Sequence, residues 1–188
     1  YNLLVLDTGR IYRYVANIKI NEPTKFNYKY IKKKIDKLKM KDLHNKKLSS
    51  DKVATVASII AKDKRIRKLV HAFQLKCAYN PPKKYDGSCL DGRDIGSVVL
   101  KSADVKFYIT ANLKVRAMRR YKELKAKNKK MSYNDVLKSI KNRDKSDKNR
   151  KISPLIKTKD MYLINSSSES ISSCFMKIKK IIDRKINN

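Results

Sequence analysis

The stretch LLVLDTGRIYR, Leu3–Arg13, begins with four apolar residues and then changes to the polar turn Asp7-Thr8-Gly9. A run this apolar is typical of a buried strand in a parallel sheet. The residues after the turn, Arg10–Ile20, have the spacing of a helix. A strand that leads through a polar turn into a helix is characteristic of a parallel α/β fold. The stretch therefore predicts such a fold, with its polar turn at the carboxyl end of a strand.

The same alternation of strand and helix continues along the chain. Further short strands are predicted at Ser88–Leu90, Val105–Thr110 and Met161–Ile164. Ser, Asp and Asn residues stand where the intervening helices would begin, as N-caps do. The predicted caps are Ser50 or Asp51, Asp63, Asn112 and Ser132. The alternation predicts a parallel sheet with helices on both faces.

Three segments complete this secondary-structure prediction. Asn21–Lys47 is rich in Lys and Tyr, and its apolar spacing predicts an amphipathic surface helix. Lys122–Lys130 is dense in charge and predicts a mobile loop. The last helix is the clearest because its apolar residues form one stripe. That stripe consists of Ile171, Phe175, Ile178 and Ile182.

Length and composition narrow the class of protein. The 188 residues suit one compact domain, and 41% hydrophobic residues exclude global disorder. No run of 18 apolar residues exists, and the sequence does not open on a signal-peptide pattern, so no membrane partner is expected. The cysteines Cys77, Cys89 and Cys174 are odd in number and far apart, which predicts neither a disulfide framework nor a zinc site. A reducing cytoplasm is the expected location.

The net charge of +31 allows two interpretations. It is typical of proteins that bind nucleic acid. However, Lys, Asn, Ile and Tyr make up 43% of the chain, and these are residues of A/T-rich codons. Drift toward lysine and a selected polyanion surface explain the charge equally well. The 11 arginines are more informative than the 37 lysines, because such drift works against arginine and its forked donors suit phosphate.

Polar clusters fall at or just beyond the predicted carboxyl ends of strands, where open α/β sheets bind their ligands. Two of them are Asp7–Arg13 and Asp91–Gly96. The third lies on two helices and contains Arg116, Arg119, Arg120, Arg143, Asp147 and Arg150. A single arginine at such a position is as often a surface ion-pair residue as a ligand-binding residue. Arginines that converge from several elements instead indicate a substrate with several phosphates.

Three strings resemble those of the bacterial cytidylate kinase family, the CMP/dCMP kinases of the nucleoside monophosphate kinase superfamily. They are LDTGRIYR (Leu6–Arg13), DGRDIGSVV (Asp91–Val99) and RDKSDKNRKISPL (Arg143–Leu155), and they occur in the family's order. The resemblance implies an α/β fold with a P-loop NTPase-type parallel sheet and helices on both faces, as one domain over residues 1–188. It also implies transfer of the γ-phosphate of ATP to CMP or dCMP, with Mg²⁺ as cofactor and a monomeric enzyme.

The resemblance also implies roles for matching residues. The residues that would bind CMP are Thr8, Arg13, Ser58, Arg67, Arg93, Asp94 and Asp147. Of these, Thr8, Arg13 and Arg93 would meet the phosphate. Ser58, Arg67 and Asp94 would bind the cytosine base, and Asp147 would accept from a ribose hydroxyl.

The remaining implied roles concern ATP and phosphoryl transfer. Arg116, Arg119 and Arg120 resemble arginines of a lid over ATP, in a lid region that spans 112–150. The residues expected to act in catalysis are Arg119, Arg120, Arg143 and Arg150. Asp91 ends a strand, where its carboxylate suits a contact to a Mg²⁺-bound water. A turn-forming Asp before Gly92 is an equally good interpretation.

The sequence departs from the family pattern in three places. Asn165 stands where many members have Asp, and the CMP-binding insertion is shortened to residues 21–50. No phosphate-loop motif GxxxxGK[S/T] occurs in the 188 residues. We therefore expect that the first, central strand and the P-loop are absent from this chain and that upstream residues encode them. The chain alone is then expected to bind ATP phosphates poorly, with an unfilled slot between the strands at Ser88–Leu90 and Val105–Thr110.

Two other functions stay open. A basic RNA-binding protein would explain the charge, although the arginines at strand ends and the lack of a known RNA motif argue against specific nucleic-acid binding. A kinase relic that keeps nucleotide binding without activity fits the missing phosphate loop.

Overall fold

The computed structural model describes residues 1–127 and 130–187, which form a mixed α/β protein with parallel strands. The chain divides into two compact units, Tyr1–Ile95 and Gly96–Asn188, and each contains one pair of parallel strands. The predicted α/β class and the parallel pairing are confirmed. The organisation as one domain, with an insertion at 21–50 and a lid at 112–150, stays a prediction.

The first unit is built on the strands β1 (Leu3–Asp7) and β2 (Gly87–Asp91). Their parallel register pairs Leu3 with Gly87 and Asp7 with Asp91. The chain between them forms the helices α1 (Gly9–Asn21), α2 (Tyr28–Asp36), α3 (Met40–Leu43), α4 (Asp51–Ile60) and α5 (Lys64–Tyr79). Short 3₁₀ turns lie at Pro23–Lys25 and Lys46–Ser49. This crossover makes β1 and β2 parallel neighbours, so their carboxyl ends lie together at one edge of the sheet.

Capping and apolar burial fix these helices in place. The Ser50 hydroxyl accepts from the Val53 N–H at 3.3 Å, and the Asp63 carboxylate accepts from the Arg65 N–H at 2.7 Å, as predicted. One continuous core joins β1 to the helices. Its most deeply buried members are Leu6, Ile11, Val15, Ala16, Ile31, Leu43 and Val70.

The second unit is built on β3 (Phe107–Thr110) and β4 (Tyr162–Asn165), which pair Phe107 with Tyr162 in parallel. Its helices are α6 (Leu113–Ala126), α7 (Tyr133–Asn149) and α8 (Ile171–Ile186). The predicted caps are confirmed, because Asn112 accepts from the Lys114 N–H at 2.9 Å and Ser132 accepts from the Asp135 N–H at 3.1 Å. Within the described residues, no helix is long and apolar enough to cross a membrane.

The side chains of β1 alternate between buried and exposed. Leu4 and Leu6 are buried, whereas Val5 between them is 68% exposed. Successive side chains of a strand point to opposite faces, and only one face of β1 is covered by the core. The helix predicted at the end of the chain is confirmed as α8, but Ile171 and Phe175 of its apolar stripe are exposed.

The expectation that Lys122–Lys130 is a loop is wrong up to Ala126, where α6 ends. Residues 128 and 129 of this stretch lie outside the described residues. The helix continues because Lys, Glu and Leu are good helix formers. In addition, Glu123 accepts from Arg120 at 2.7 Å and from Lys127 at 2.6 Å, one turn away on either side.

Candidate functional site

The polar turns that follow β1 and β2 are joined by hydrogen bonds. Thr8 is almost completely buried, and both its N–H and its hydroxyl donate to the Asp91 carbonyl, at 3.0 and 2.7 Å. The register that pairs Asp7 with Asp91 places these turns side by side. The first two polar clusters predicted from the sequence are therefore direct neighbours where they follow β1 and β2.

Gly92 is the residue that allows this close approach. A Cβ atom at this position would lie 2.5 Å from the Thr8 hydroxyl oxygen and 2.7 Å from Cγ1 of Ile95. Both distances are shorter than any ordinary contact, so a side chain here would force the turn away from β1. The glycine therefore sets the distance between the two turns.

An ion pair between Arg67 and Asp94 lies in the same unit. Nη2 of Arg67 donates to Oδ2 of Asp94, and the two side chains are only 11% and 9% exposed. The residues come from α5 and from the turn after β2, so the pair links a helix to the strand ends. Two buried charges of opposite sign satisfy each other here, which avoids the cost of burying either one alone.

Two further contacts hold the Arg67 guanidinium. Its Nη1 donates to the Ala61 carbonyl at 3.2 Å. Its central carbon lies 5.8 Å from the ring centre of Tyr12, within the range of a cation–π interaction. Arg67 thus contacts a carbonyl, an aromatic face and the carboxylate of Asp94.

The other predicted CMP-binding residues of this unit have different surroundings. Arg13 is half-buried and donates through Nη1 to the Leu48 carbonyl at 2.9 Å. Ser58 is exposed on α4, and its hydroxyl donates to the Thr55 carbonyl at 2.7 Å. Arg93 is exposed.

In the second unit, Arg116 ties α6 to α7. Its two terminal nitrogens donate to the two carboxylate oxygens of Asp144, at 2.9 and 2.6 Å, and its Nε donates to the Ala111 carbonyl at 2.8 Å. The hydrogen bonds to Asp144 raise the pKa of the guanidinium above its ordinary value. Arg116 therefore already has a structural role in the fold.

The neighbouring arginines of α6 make separate contacts. Arg119 donates to the Ser166 carbonyl at 2.6 Å and lies 3.3 Å from the Glu169 carbonyl, so it fastens the loop that follows β4. Arg120 donates to Glu123 on its own helix. The pKa of the Glu123 carboxyl is lowered, first by the hydrogen bond from Lys127 and then by the one from Arg120.

The third predicted group surrounds Asp147 on α7. Nε of Arg143 lies 3.8 Å and Nη1 of Arg150 lies 3.6 Å from the Asp147 carboxylate, whose side chain is 16% exposed. Arg150 caps the helix and donates through Nε to the Ser153 carbonyl at 2.5 Å. The structure brings these three residues together, as their spacing predicts.

Sequence reasoning gave no individual role to three residues that make notable contacts in the structure. Tyr12 packs on Arg67, Asp144 pairs with Arg116, and Arg10 donates to the Leu43 carbonyl at 2.6 Å. Arg10 had a signal, because it stands three residues before Arg13 and so shares its helix face. The other two contacts join residues far apart in sequence and had none.

The described residues contain no cluster of three or more His, Cys, Asp or Glu side chains that could hold a metal ion. The register does place the exposed residues Asp7 and Asp91 next to each other at the strand ends. One or two carboxylates together with phosphate oxygens and waters is how proteins usually bind Mg²⁺. These two residues therefore suit a metal that arrives with a phosphorylated ligand.

Parallel strands whose carboxyl ends carry a buried hydroxyl, a glycine turn and arginines define an α/β protein of the phosphate- or nucleotide-binding class. Comparison with known proteins gives the family. The family model for cytidylate kinase matches residues 1–184, and the chain belongs to the cytidylate kinase family.

Curated relatives agree with this assignment. The chain is 38% identical to a cytidylate kinase of Bartonella henselae over 184 residues, which cover 97% of this chain and 84% of that protein. It is 37% identical to one of Clostridium botulinum, over 97% of this chain and 87% of that protein. A second Clostridium botulinum cytidylate kinase is 52% identical over 105 residues, 56% of this chain and 48% of that protein.

Proposed function

We propose that the protein is a nucleoside monophosphate kinase that transfers the γ-phosphoryl group of ATP to CMP or dCMP. The observation that carries this proposal is the buried pair of Arg67 and Asp94 beside Thr8 and Gly92. The pair presents one fixed acceptor and one fixed donor next to a site suited to phosphate, which is what recognition of a cytosine nucleotide requires.

The chemistry of cytosine matches this pair. Cytosine offers an amine donor at N4 and acceptors at N3 and O2. Oδ1 of Asp94 would accept from N4, and the guanidinium of Arg67 would donate to the acceptor side. Uracil carries a carbonyl at position 4, so the carboxylate would face another acceptor. The Ser58 hydroxyl, which already donates to Thr55, keeps lone pairs that can accept from N4.

Within the first unit, the phosphate of CMP would be bound by Thr8, Arg13 and Arg93. The ribose role of Asp147, a residue of the second unit, stays an expectation from the resemblance. Arg13 donates one N–H to the Leu48 carbonyl, which sets the direction of its guanidinium. Phosphoryl transfer depends on positioning and on neutralising charge. For that step the proposal assigns Arg119, Arg120, Arg143 and Arg150, with Arg116 holding their helices together.

The carboxylates at the ends of β1 and β2 would suit a Mg²⁺ ion. Asp91, with Asp7 beside it, would hold the ion through its waters. When bound with ATP, the ion would neutralise part of the charge on the phosphates.

The 188 residues contain no GxxxxGK[S/T] motif. The binding of nucleoside monophosphates is therefore measured separately from phosphoryl transfer. Isothermal titration calorimetry would compare CMP, dCMP, UMP and AMP. We expect CMP and dCMP to bind at least about tenfold more tightly than UMP, the value of one charge-assisted hydrogen bond. Equal affinity for CMP and UMP would contradict the proposal.

Two further assays separate the competing functions. A coupled assay with CMP, ATP and Mg²⁺ distinguishes an active kinase from a relic that only binds nucleotide. Filter binding of single-stranded RNA at moderate salt tests the RNA-binding alternative. RNA binding that persists at that salt, in a protein that shows no preference for CMP, would favour that alternative.

A further inference from the structure

Arg10 makes contacts that none of the roles above requires. It lies on the first turn of α1, directly after the Thr8-Gly9 turn. Its Nη1 donates to the Leu43 carbonyl at 2.6 Å, and its Nη2 lies 3.5 Å from the Ser49 hydroxyl. Its Nε lies 3.7 Å from Oδ2 of Asp7, which holds the guanidinium on the side of the strand end.

Arg13 makes a parallel contact one helical turn further on. Its guanidinium donates to the Leu48 carbonyl at 2.9 Å. Positions three apart lie on one face of a helix, so Arg10 and Arg13 reach from α1 to the same neighbouring segment. That segment, residues 43–49, runs from the last residue of α3 to the end of the 3₁₀ turn Lys46–Ser49.

Besides these arginines and two buried leucines, the segment is held by short-range hydrogen bonds such as that from the Lys47 N–H to the Asn45 side chain at 2.9 Å. Helix α3 has only four residues, and a helix so short is not stable by itself. Leu43 and Leu48 are each 2% exposed and pack into the core. Five lysines and one aspartate lie within residues 37–47, so the charges near the segment repel one another.

We propose that Arg10 is a positioning residue for the phosphate of the nucleotide, acting through residues 43–49 and Arg13. By holding the Leu43 carbonyl, Arg10 fixes the segment that carries the Leu48 carbonyl. The Leu48 carbonyl in turn orients the guanidinium of Arg13, which is assigned to the CMP phosphate. The inference rests on the proposed function for its ligand, whereas the anchoring itself does not depend on any ligand.

The test compares Arg10→Ala with Arg10→Lys in the full chain. Arg184→Ala is the control, because it removes an exposed arginine of α8 in the other unit. Titration calorimetry would measure CMP and also cytidine, which lacks the phosphate. We expect Arg10→Ala to lower the affinity for CMP about tenfold and to leave the affinity for cytidine unchanged. Arg10→Lys keeps one donor for the Leu43 carbonyl and should recover part of the loss.

Hydrogen exchange without nucleotide tests the anchor by itself. Arg10→Ala should speed amide exchange in residues 43–49 and leave α5 protected. Equal loss of CMP and cytidine, or faster exchange throughout the first unit, would mean a general structural role and would overturn the inference. So would a variant that binds CMP like the wild type. If the wild type prefers no cytosine nucleotide, the proposed function fails, and the exchange result still decides whether Arg10 is the anchor.

Discussion

Replacing Asp94 by Asn should change which base the protein prefers, and not merely weaken binding. The guanidinium of Arg67 has only donors, so it fixes the orientation of an amide placed opposite it. The amide oxygen would take the place of Oδ2, which accepts from Nη2 of Arg67. The amide NH₂ would then face the base, where it opposes the N4 amine of cytosine and matches the O4 carbonyl of uracil.

The expected size of the change follows from the contacts. CMP loses a hydrogen bond to a charged acceptor, about 1.5–3 kcal/mol, or roughly 10- to 150-fold in affinity. UMP gains a neutral hydrogen bond, about 0.5–1.5 kcal/mol, or roughly 2- to 12-fold. The variant also removes one charge from a pair that is about 10% exposed on each side. Because Arg67 keeps the Ala61 carbonyl and the Tyr12 ring, we expect the free energy of unfolding to fall by about 3 kcal/mol, the lower end for a broken buried pair.

Calorimetric titration of CMP and UMP into the wild type and the variant measures this change, and urea unfolding measures stability. Asp183→Asn serves as the control, since it removes a carboxylate of α8 whose Oδ2 lies 2.6 Å from Nζ of Lys179. The control should leave both affinities unchanged. If Asp94→Asn weakens UMP as much as CMP, the assignment of Asp94 to position 4 of the base is wrong.

Three other expectations concern the packing of the site, the link between helices and the effect of pH. Gly92→Ala places a Cβ 2.5 Å from the Thr8 hydroxyl, so we expect a loss of about 1–3 kcal/mol in the free energy of unfolding, measured by urea titration, and weaker CMP binding. A double-mutant cycle of Arg116→Met and Asp144→Asn should give a coupling energy of about 1 kcal/mol, because this bidentate pair is one-third exposed; additive effects would contradict the link. The hydrogen bond from Lys177 lowers the pKa of Glu169, so its stabilising contribution is present above the ordinary carboxyl pKa and is lost as the pH falls below about 4.5. Glu169→Gln should therefore make the urea midpoint depend less on pH between about 3 and 6.

The sequence predicted that both polar turns of the first unit follow the carboxyl ends of strands, because each apolar run changes to polar residues there. A parallel sheet brings such ends to one edge, whereas the direct pairing of β1 with β2 came from the structure. The N-caps were equally predictable, because a Ser or Asp before a helical pattern has a local hydrogen-bond partner, as Asp63 has in Arg65.

The partners of the site residues could not be predicted in the same way. Arg67 and Asp94 are 27 residues apart, and the resemblance assigned both to the base without indicating that they bind each other. Periodicity placed Arg116 on a helix face but could not show that Asp144, 28 residues later, would take both of its terminal nitrogens. Such pairs depend on how helices pack, and a hydrophobic period fixes only which face of a helix is turned inward.

Many of the described arginines share one mode of attachment, which bears on how the charge of the protein arose. Six of them donate to a backbone carbonyl: Arg10 to Leu43, Arg13 to Leu48, Arg67 to Ala61, Arg116 to Ala111, Arg119 to Ser166 and Arg150 to Ser153. An arginine fixed at one nitrogen keeps the rest of its planar fork in a set direction, which a lysine on a flexible chain cannot do. Several lysines instead pair with a carboxylate one turn away, as Lys32 does with Asp36. Drift toward lysine would replace arginine wherever any cation serves. Arginine is favoured over lysine where the planar guanidinium must hold a backbone carbonyl in a set direction, and these six arginines stand at such positions.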